Sequence, residues 1–274
     1  MGRDGLAALR LARRGDETVL VERRFRTPLQ VLEPLTFPGD PAAGLMLLNP
    51  TGGVLGGDHL ETQLRLDAGA HAIVTTPSAT RVYGCRADAA TLVTTATIGL
   101  GAVLEYVPDH LIPHPRARVV QRLSVRLAPG ARLLLWDAWA LGRVARGEAW
   151  TFDQLLSAVR VDGASAPVFI DRASLRGGRR TLAGLGGAED CGYVAWWLAV
   201  SDEPYDWARL ADELGDVVAA VPGLRAAASP LGRGGCAVRV LAGAAHELLD
   251  AQRLLWSHTR TRWLGLAPID LRKS

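Results

Sequence analysis

Apolar and polar positions alternate along much of the chain. Around residues 59–67, Leu60, Leu64 and Leu66 alternate with the charged Glu61 and Arg65. A period of two places successive side chains on opposite faces of an extended backbone, so the pattern predicts β-strands rather than helix. Further short runs of this kind predict strands at 18–22, 25–35, 45–48, 192–200 and 236–241.

Three segments of the chain resemble one another: LRLDAGAHAIV, ATIGLGAVLEYV and VRLAPGARLLLW. Each segment predicts a strand, a tight Gly-Ala turn at Gly69, Gly101 or Gly130, and a second strand. A strand unit of this length cannot bury its apolar face alone, so a recurring unit predicts stacked β layers. Ordinary hairpins in a β-sandwich remain the alternative.

The period changes to that of a helix near the C-terminus. Apolar residues follow helical spacing from Asp206, a plausible N-cap, and Pro222-Gly223 ends that pattern. A second helix is predicted over 244–264, ending at Gly265. The fold class predicted is therefore mainly β, with stacked, β-helix-like strand layers and two helices near the C-terminus. One domain is expected over 1–274, with 1–17 as a loose leader.

Composition narrows the function classes. The 274 residues are 49% hydrophobic, which supports a large core, and the net charge of +3 comes from scattered arginines. Nucleic-acid binding is not expected, because no basic tract with interleaved aromatic residues appears. The three cysteines Cys85, Cys191 and Cys236 contain no C-x-x-C pair, which favours a reducing cytoplasm over a disulfide framework or zinc site. No apolar run is long enough to span a bilayer.

A glycine-rich loop at Gly52, Gly53, Gly56 and Gly57 ends on Asp58. Such a loop indicates backbone with positive φ or close approach to another segment. It lacks the Gly-Lys-Ser/Thr ending of a phosphate-binding loop, and a strand follows it rather than a helix. We therefore predict a structural turn or a surface that contacts a partner.

Metal-ligating residues are sparse. The candidates are Asp58, His59, His110 and His114, since imidazole suits several divalent transition metals. His114 lies between two prolines, so it belongs to an irregular loop and not to a pair of ligands on one helix face. A tightly held metal is not expected.

Glu105 interrupts an apolar run, and the alternation leaves two placements open, pointing inward or lying at a sheet face. A buried carboxylate needs a partner, for which Arg118 or Arg143 are candidates. Two interpretations stay open for Glu105, and likewise for Arg143 with Glu148. One is a structural ion pair. The other is a polar passage for a divalent cation.

Four segments in order, PTGGVLGGDHL, TTPSATRVY, GAVLEYVPDHLI and GRVARGE, resemble the urease accessory protein family UreD, also called UreH. The resemblance implies a non-enzymatic scaffold in the cytoplasm that helps deliver nickel to apo-urease. It implies transient nickel with no tightly bound cofactor, and as partners UreF-like and UreG-like accessory proteins and apo-urease. The residues that the family motifs place at interfaces or along a passage are Gly52, Gly53, Gly57, Asp58, Thr75, Thr76, Tyr83, Glu105, Arg143 and Glu148.

Two other classes of function remain as hypotheses. One is a β-solenoid enzyme that acts on a small anionic substrate through the Gly52–Asp58 loop. Against this hypothesis, the chain lacks a G-x-S-x-G motif, and none of its cysteines has a histidine near it in sequence. The other is a binding module that shares the fold without the function.

Overall fold

A computed structural model describes residues 3–84, 88–178 and 188–271 of the chain. Most of the strands form two large β-sheets. The strands are β1 (Asp4–Arg14), β2 (Glu17–Arg26), β3 (Gln30–Val31), β4 (Leu35–Thr36), β5 (Ala43–Leu48), β6 (His59–Leu66), β7 (His71–Thr75), β8 (Thr80–Val82), β9 (Ala90–Ile98), β10 (Val103–Tyr106), β11 (Leu111–Pro113), β12 (Arg118–Leu127), β13 (Arg132–Ala140), β14 (Gly142–Arg143), β15 (Glu148–Ala149), β16 (Gln154–Asp162), β17 (Pro167–Arg176), β18 (Tyr193–Val200), β19 (Arg225–Pro230) and β20 (Gly235–Ala242). The helices are α1 (Trp207–Ala219) and α2 (Ala245–Thr259), and α2 continues into a π-helical turn, Arg260–Leu264.

The three repeated segments form stacked coils. Their first strands, β6, β9 and β12, pair in parallel in a seven-stranded sheet of order β17-β16-β12-β9-β6-β1-β2. Their second strands, β7, β10 and β13, pair in parallel in the larger sheet, whose main order is β19-β20-β18-β13-β10-β7-β5-β3. The predicted layers are thus confirmed. The hairpin alternative is wrong for these units, because each turn carries the chain from one sheet to the other.

The turns between the sheets stack on one another. Gly69, Gly101 and Gly130 have φ of +68°, +60° and +67°, a conformation that glycine adopts without steric cost. The Gly69 N–H donates to the Leu100 carbonyl at 2.9 Å, and the Gly101 N–H donates to the Pro129 carbonyl at 3.2 Å. The first two turns are therefore each hydrogen-bonded to the next coil, while the Gly130 N–H donates to Asp202 Oδ1 at 2.8 Å.

Two apolar cores result from this arrangement. One fills the space between the sheets, and the other lies between the larger sheet and the helices α1 and α2. Trp136 and Trp197 are almost fully buried in the second core. Asp206 caps α1 by accepting a hydrogen bond from the Arg209 N–H, and Gly265 follows the π-helical turn with φ of +69°. Both predicted helices are confirmed, although the second changes to π geometry at Arg260.

Two predictions for the N-terminal region are wrong. The expected loose leader instead forms β1, which pairs antiparallel with β2 and parallel with β6. Ala7, Leu9 and Leu11 alternate inward and are buried, while the arginines that hid this pattern lie on the other face or at the strand end. The strand region expected over 25–35 is mostly not strand, because Pro28 and Pro34 cannot donate to a ladder. β2 ends at Arg26, and only the short strands β3 and β4 follow.

Candidate functional site

Asp58 organises the glycine-rich loop. Its carboxylate is 2% exposed and accepts hydrogen bonds from the backbone N–H groups of Arg3 and Leu55, both at 2.9 Å. The Arg3 guanidinium lies 3.7 Å away. Both N–H groups are engaged by this carboxylate, so neither is free to bind an anionic substrate. This geometry supports the interpretation of the loop as a structural turn.

The loop is fastened to the segment that carries the second motif. Val54 pairs with Val82, and the Tyr83 hydroxyl donates to the Gly52 carbonyl at 3.1 Å. At Gly53, a Cβ atom would lie 2.4 Å from the Tyr83 ring, so the close approach requires glycine. The Gly52–Asp58 loop and Tyr83 therefore form one packed unit.

A fully buried ionic cluster forms around Glu105, which is 0% exposed. Its Oε1 accepts from His71 Nε2 at 2.6 Å and from the Arg260 guanidinium, and its Oε2 accepts from the Trp256 indole N–H. Arg260, also 0% exposed, pairs in addition with Asp40. We call Asp40, His71, Glu105, Trp256 and Arg260 the Glu105 cluster. It connects strand β10 to the end of α2.

The partners predicted for Glu105, Arg118 and Arg143, are wrong. The cation is Arg260, which lies 155 positions further along the chain. Its Nε also donates to the Ala267 carbonyl at 3.0 Å, so the guanidinium is held on all sides. Burial by itself raises the pKa of Glu105, but the His71 hydrogen bond and the Arg260 charge outweigh it and hold this pKa below the ordinary carboxyl value. The geometry supports the structural ion pair.

The fourth motif forms a separate ion pair. Arg143 Nε and Glu148 Oε2 lie 2.5 Å apart across the short β14–β15 ladder. Gly142 and Gly147 have φ of +119° and +72°, which lets the chain turn tightly around this pair. At Gly142 a Cβ atom would lie 2.3 Å from the Glu148 carbonyl oxygen, so the turn requires glycine.

The candidate histidines lie in different surroundings. His59 is exposed, and His114 packs edge-on against Tyr83 with ring centroids 4.7 Å apart. His110 is 8% exposed, its Nδ1 has no hydrogen-bond partner among the described residues, and burial lowers its pKa. Burial and the Arg143 and Arg81 charges lower the pKa of His114.

No cluster of candidate ligands forms a metal site in the described part of the chain. Within residues 3–84, 88–178 and 188–271, no three His, Cys, Asp or Glu side chains group in a way that could hold a metal ion. Cys191 and Cys236 are buried free thiols, and Cys85 lies outside the described residues. Asp58 is engaged within its loop, so it does not combine with His59, His110 and His114.

A cavity of about 140 Å³ lies between the sheets, and its lining is more apolar than polar. The polar side chains that line it include Thr62, Thr94, Tyr106, Gln121 and Asp137. Asp137 Oδ1 accepts from Gln121 Nε2 at 2.6 Å, while its Oδ2 has no partner among the described residues. Burial raises the pKa of Asp137 to about 6, against the opposing effect of the Gln121 hydrogen bond. A hollow with an orphaned carboxylate oxygen can hold water or a small cation.

A second, more open cavity of about 670 Å³ lies beside α2. Asp109 lines both cavities. Its position is fixed by the Thr75-Thr76 motif, since the Asp109 N–H donates to Thr76 Oγ1 at 2.9 Å and Thr75 Oγ1 donates to the Val107 carbonyl at 2.7 Å. The two threonines thus hold a carboxylate between the interior and the surface.

Comparison with known proteins decides the family. The family model described as UreD urease accessory protein matches residues 3–273. The chain belongs to the UreD urease accessory protein family. It is 35% identical over 267 residues to the urease accessory protein UreD of Haloarcula marismortui, covering 96% of this chain and 88% of that protein. It is 33% identical to the protein of that name from Actinomyces naeslundii, with both chains covered in full, and 32% identical to that from Cupriavidus necator, covering 96% and 91%.

In this UreD-family chain, three of the four motifs lie close to one another. The glycine loop contacts Tyr83, Tyr83 packs on His114, and the charges of Arg143 and Glu148 act on His114. Glu105 lies apart from them, on the face of the larger sheet that packs under α2. Sequence reasoning missed Asp137, although a lone acid within the apolar run LLLWDAWA was a visible signal. Among the described residues, no helix is both long and apolar enough to cross a membrane.

Proposed function

We propose that this chain is a maturation scaffold that enables nickel incorporation into apo-urease. In this proposal it joins apo-urease to a UreF-like protein and a UreG-like GTPase in the cytoplasm. It has no catalytic residue of its own and conducts nickel, its cargo, between partners. The observation that carries the proposal is the family match over residues 3–273, together with relatives named urease accessory proteins across nearly their whole length.

The two cavities support the conducting role. A divalent cation that crosses a protein needs oxygen or imidazole groups along its path that bind it weakly. Asp137 in the inner cavity has a carboxylate oxygen with no partner among the described residues, and Asp109 lies between that cavity and the cleft beside α2. Burial raises the pKa of Asp137 to about 6, so this carboxylate is mostly ionised at neutral pH and attracts a cation.

The scaffold role is tested by deleting the gene in a urease-positive host and measuring nickel in purified urease. We expect the deletion strain to contain apo-urease, and we expect the parent gene to restore its nickel content. Normal nickel content in the deletion strain would refute the proposal. Co-expression with the three partners, followed by measurement of the size and composition of the complex, tests the bridging role.

The conducting role needs a variant that still assembles. Asp137→Leu replaces the carboxylate of the inner cavity by an apolar side chain, and Asp137 is buried, so the surface is unchanged. The complex should therefore form but deliver little nickel. Leu133→Met, a buried apolar exchange on the same strand, is the matched control and should deliver nickel as the parent does. Full delivery by Asp137→Leu would refute a passage through this cavity.

A further inference from the structure

The outer face of the seven-stranded sheet has no helix packed against it in the described part of the chain. Both helices pack on the other side of the molecule, where α1 contacts β19 and β20 and α2 contacts β18 and β20. The strands β12, β16 and β17 form one edge region of the open face, in register over most of their length. We call the outward-facing residues of these three strands the arginine face.

Arginine dominates this face. The outward positions of β12 alternate as Arg118, Val120, Arg122, Ser124 and Arg126, while Leu123 and Val125 point into the core. On the neighbouring strands the outward arginines are Arg160, Arg172 and Arg176. The one acid at an outward position of these strands is Asp162, which pairs with Arg160.

The remaining arginines of the face are uncompensated. Within the described residues, Arg122, Arg126 and Arg172 form no ion pair with any carboxylate. All three are exposed and stand on paired strands, so their backbone positions are fixed. A rigid sheet presents these guanidinium groups without the entropic cost of ordering a loop.

Aliphatic side chains lie among the arginines. Val120 and Leu156 are cross-strand neighbours, Ala158 lies between Arg122 and Arg172, and Ile170 is 53% exposed. Arginine is enriched in protein interfaces, where it stands among apolar groups. Binding to a phosphate backbone would gain nothing from these aliphatic side chains. Single-strand binding would need aromatic residues for stacking, and none stands at the outward positions of these strands.

We propose that the arginine face is a docking surface for an acidic protein surface, a patch of Asp and Glu side chains on a partner in the maturation complex. Guanidinium groups bind carboxylates with two parallel hydrogen bonds, which fixes orientation as well as supplying charge. The identity of the complex used below rests on the proposed function, whereas the chemistry of the face rests on the strands alone.

The test compares two variants of equal net charge. Arg122→Glu/Arg172→Glu reverses two charges at the centre of the face. Arg233→Glu/Arg253→Glu reverses two exposed arginines in the β19–β20 loop and on α2, on the other side of the molecule. Each full-length variant is co-expressed with apo-urease, the UreF-like protein and the UreG-like GTPase, and affinities for each purified partner are measured at low salt and at about 0.15 M salt.

We expect Arg122→Glu/Arg172→Glu to weaken binding of at least one partner by about tenfold or more, mainly through slower association. The parent affinity for that partner should fall as salt rises, and Arg233→Glu/Arg253→Glu should bind as the parent does. Arg122→Gln/Arg172→Gln should lie between the two, and circular dichroism confirms that each variant is folded.

Several results would overturn the proposal. One is that Arg122→Glu/Arg172→Glu binds every partner with the affinity of the parent. Another is that both double-Glu variants lose the same affinity. The last is that Arg122→Glu/Arg172→Glu changes only duplex DNA binding or only self-association of this chain. If the parent binds none of the three partners, the proposed function is itself wrong and the docking proposal falls with it. If the parent binds them and Arg122→Glu/Arg172→Glu binds equally well, only the docking proposal is wrong.

Discussion

Replacing Glu105 by glutamine should strongly destabilise the protein. All three groups that face this carboxylate, on His71, Trp256 and Arg260, are donors. A glutamine amide therefore turns its own NH₂ toward a donor, and it leaves Arg260, 0% exposed, with Asp40 as its remaining carboxylate partner. Breaking a buried ion pair from one side costs about 3–5 kcal/mol.

That loss is a large fraction of the roughly 5–15 kcal/mol that holds typical domains folded. It should lower the melting temperature, measured by calorimetry, by on the order of 10 °C. Urea titration followed by circular dichroism measures the loss in the free energy of unfolding directly. The pH dependence follows from the lowered pKa of Glu105. Its stabilisation is fully present above the ordinary carboxyl pKa and is lost as pH falls through the lower folded value. The difference between parent and variant should therefore be constant near neutral pH and shrink below about pH 4.

The matched control is Glu33→Gln, which removes the carboxylate of an exposed pair, Arg23–Glu33, at 2.6 Å. Solvent screens this pair, so the loss should be at most about 1 kcal/mol. If Glu105→Gln costs no more than Glu33→Gln, the Glu105 cluster does not hold α2 onto the sheet, and the reasoning from burial is refuted.

Two further changes test the interior and the turns. Asp137→Asn should stabilise the protein at pH 8 by about 2–3 kcal/mol, because a carboxyl with a folded pKa of about 6 makes folding less favourable once it ionises. This gain in stability should vanish near pH 4, and urea titrations of parent and variant at pH 8 and pH 4 measure it. If the cavity were well hydrated, the difference in stability between parent and variant would not change between the two pH values. Gly142→Ala should destabilise the chain more than Gly101→Ala, since both glycines have positive φ but a Cβ atom would lie within 4 Å of a neighbour only at Gly142. Gly101→Ala should cost about 1–2 kcal/mol, because alanine is strained at positive φ. Equal melting temperatures for the two variants would contradict the close contact with Glu148.

The local features of the fold were predictable from the sequence. The alternation in β6 and β12, the glycine turns between coils and the N-cap of α1 each depend on residues a few positions apart. Short-range sterics and hydrogen bonding decide such features, so a single sequence carries them. The leader was mispredicted because Arg10, Arg13 and Arg14 interrupt its apolar residues. The pairing of β1 with β2 and β6, which is not a local feature, is what places Ala7, Leu9 and Leu11 inward.

The candidate site was only partly predictable. The motif residues themselves came from sequence, and Glu105 was rightly expected to need a partner. Its actual partner, Arg260, comes from an element 155 positions away, and a π-helical turn aims it inward. No pattern of neighbouring residues in the sequence predicts the contact between Glu105 and Arg260.

What the sequence by itself determined is the stack of strand coils, the two helices and the positions where glycine is required, since each is set by neighbours along the chain. The tertiary structure alone decided which charges meet in the core, that Asp137 lines a cavity between the sheets, and that arginines of three strands share one open face. Those outcomes depend on which sheet and which side each strand joins, and long-range packing fixes that choice.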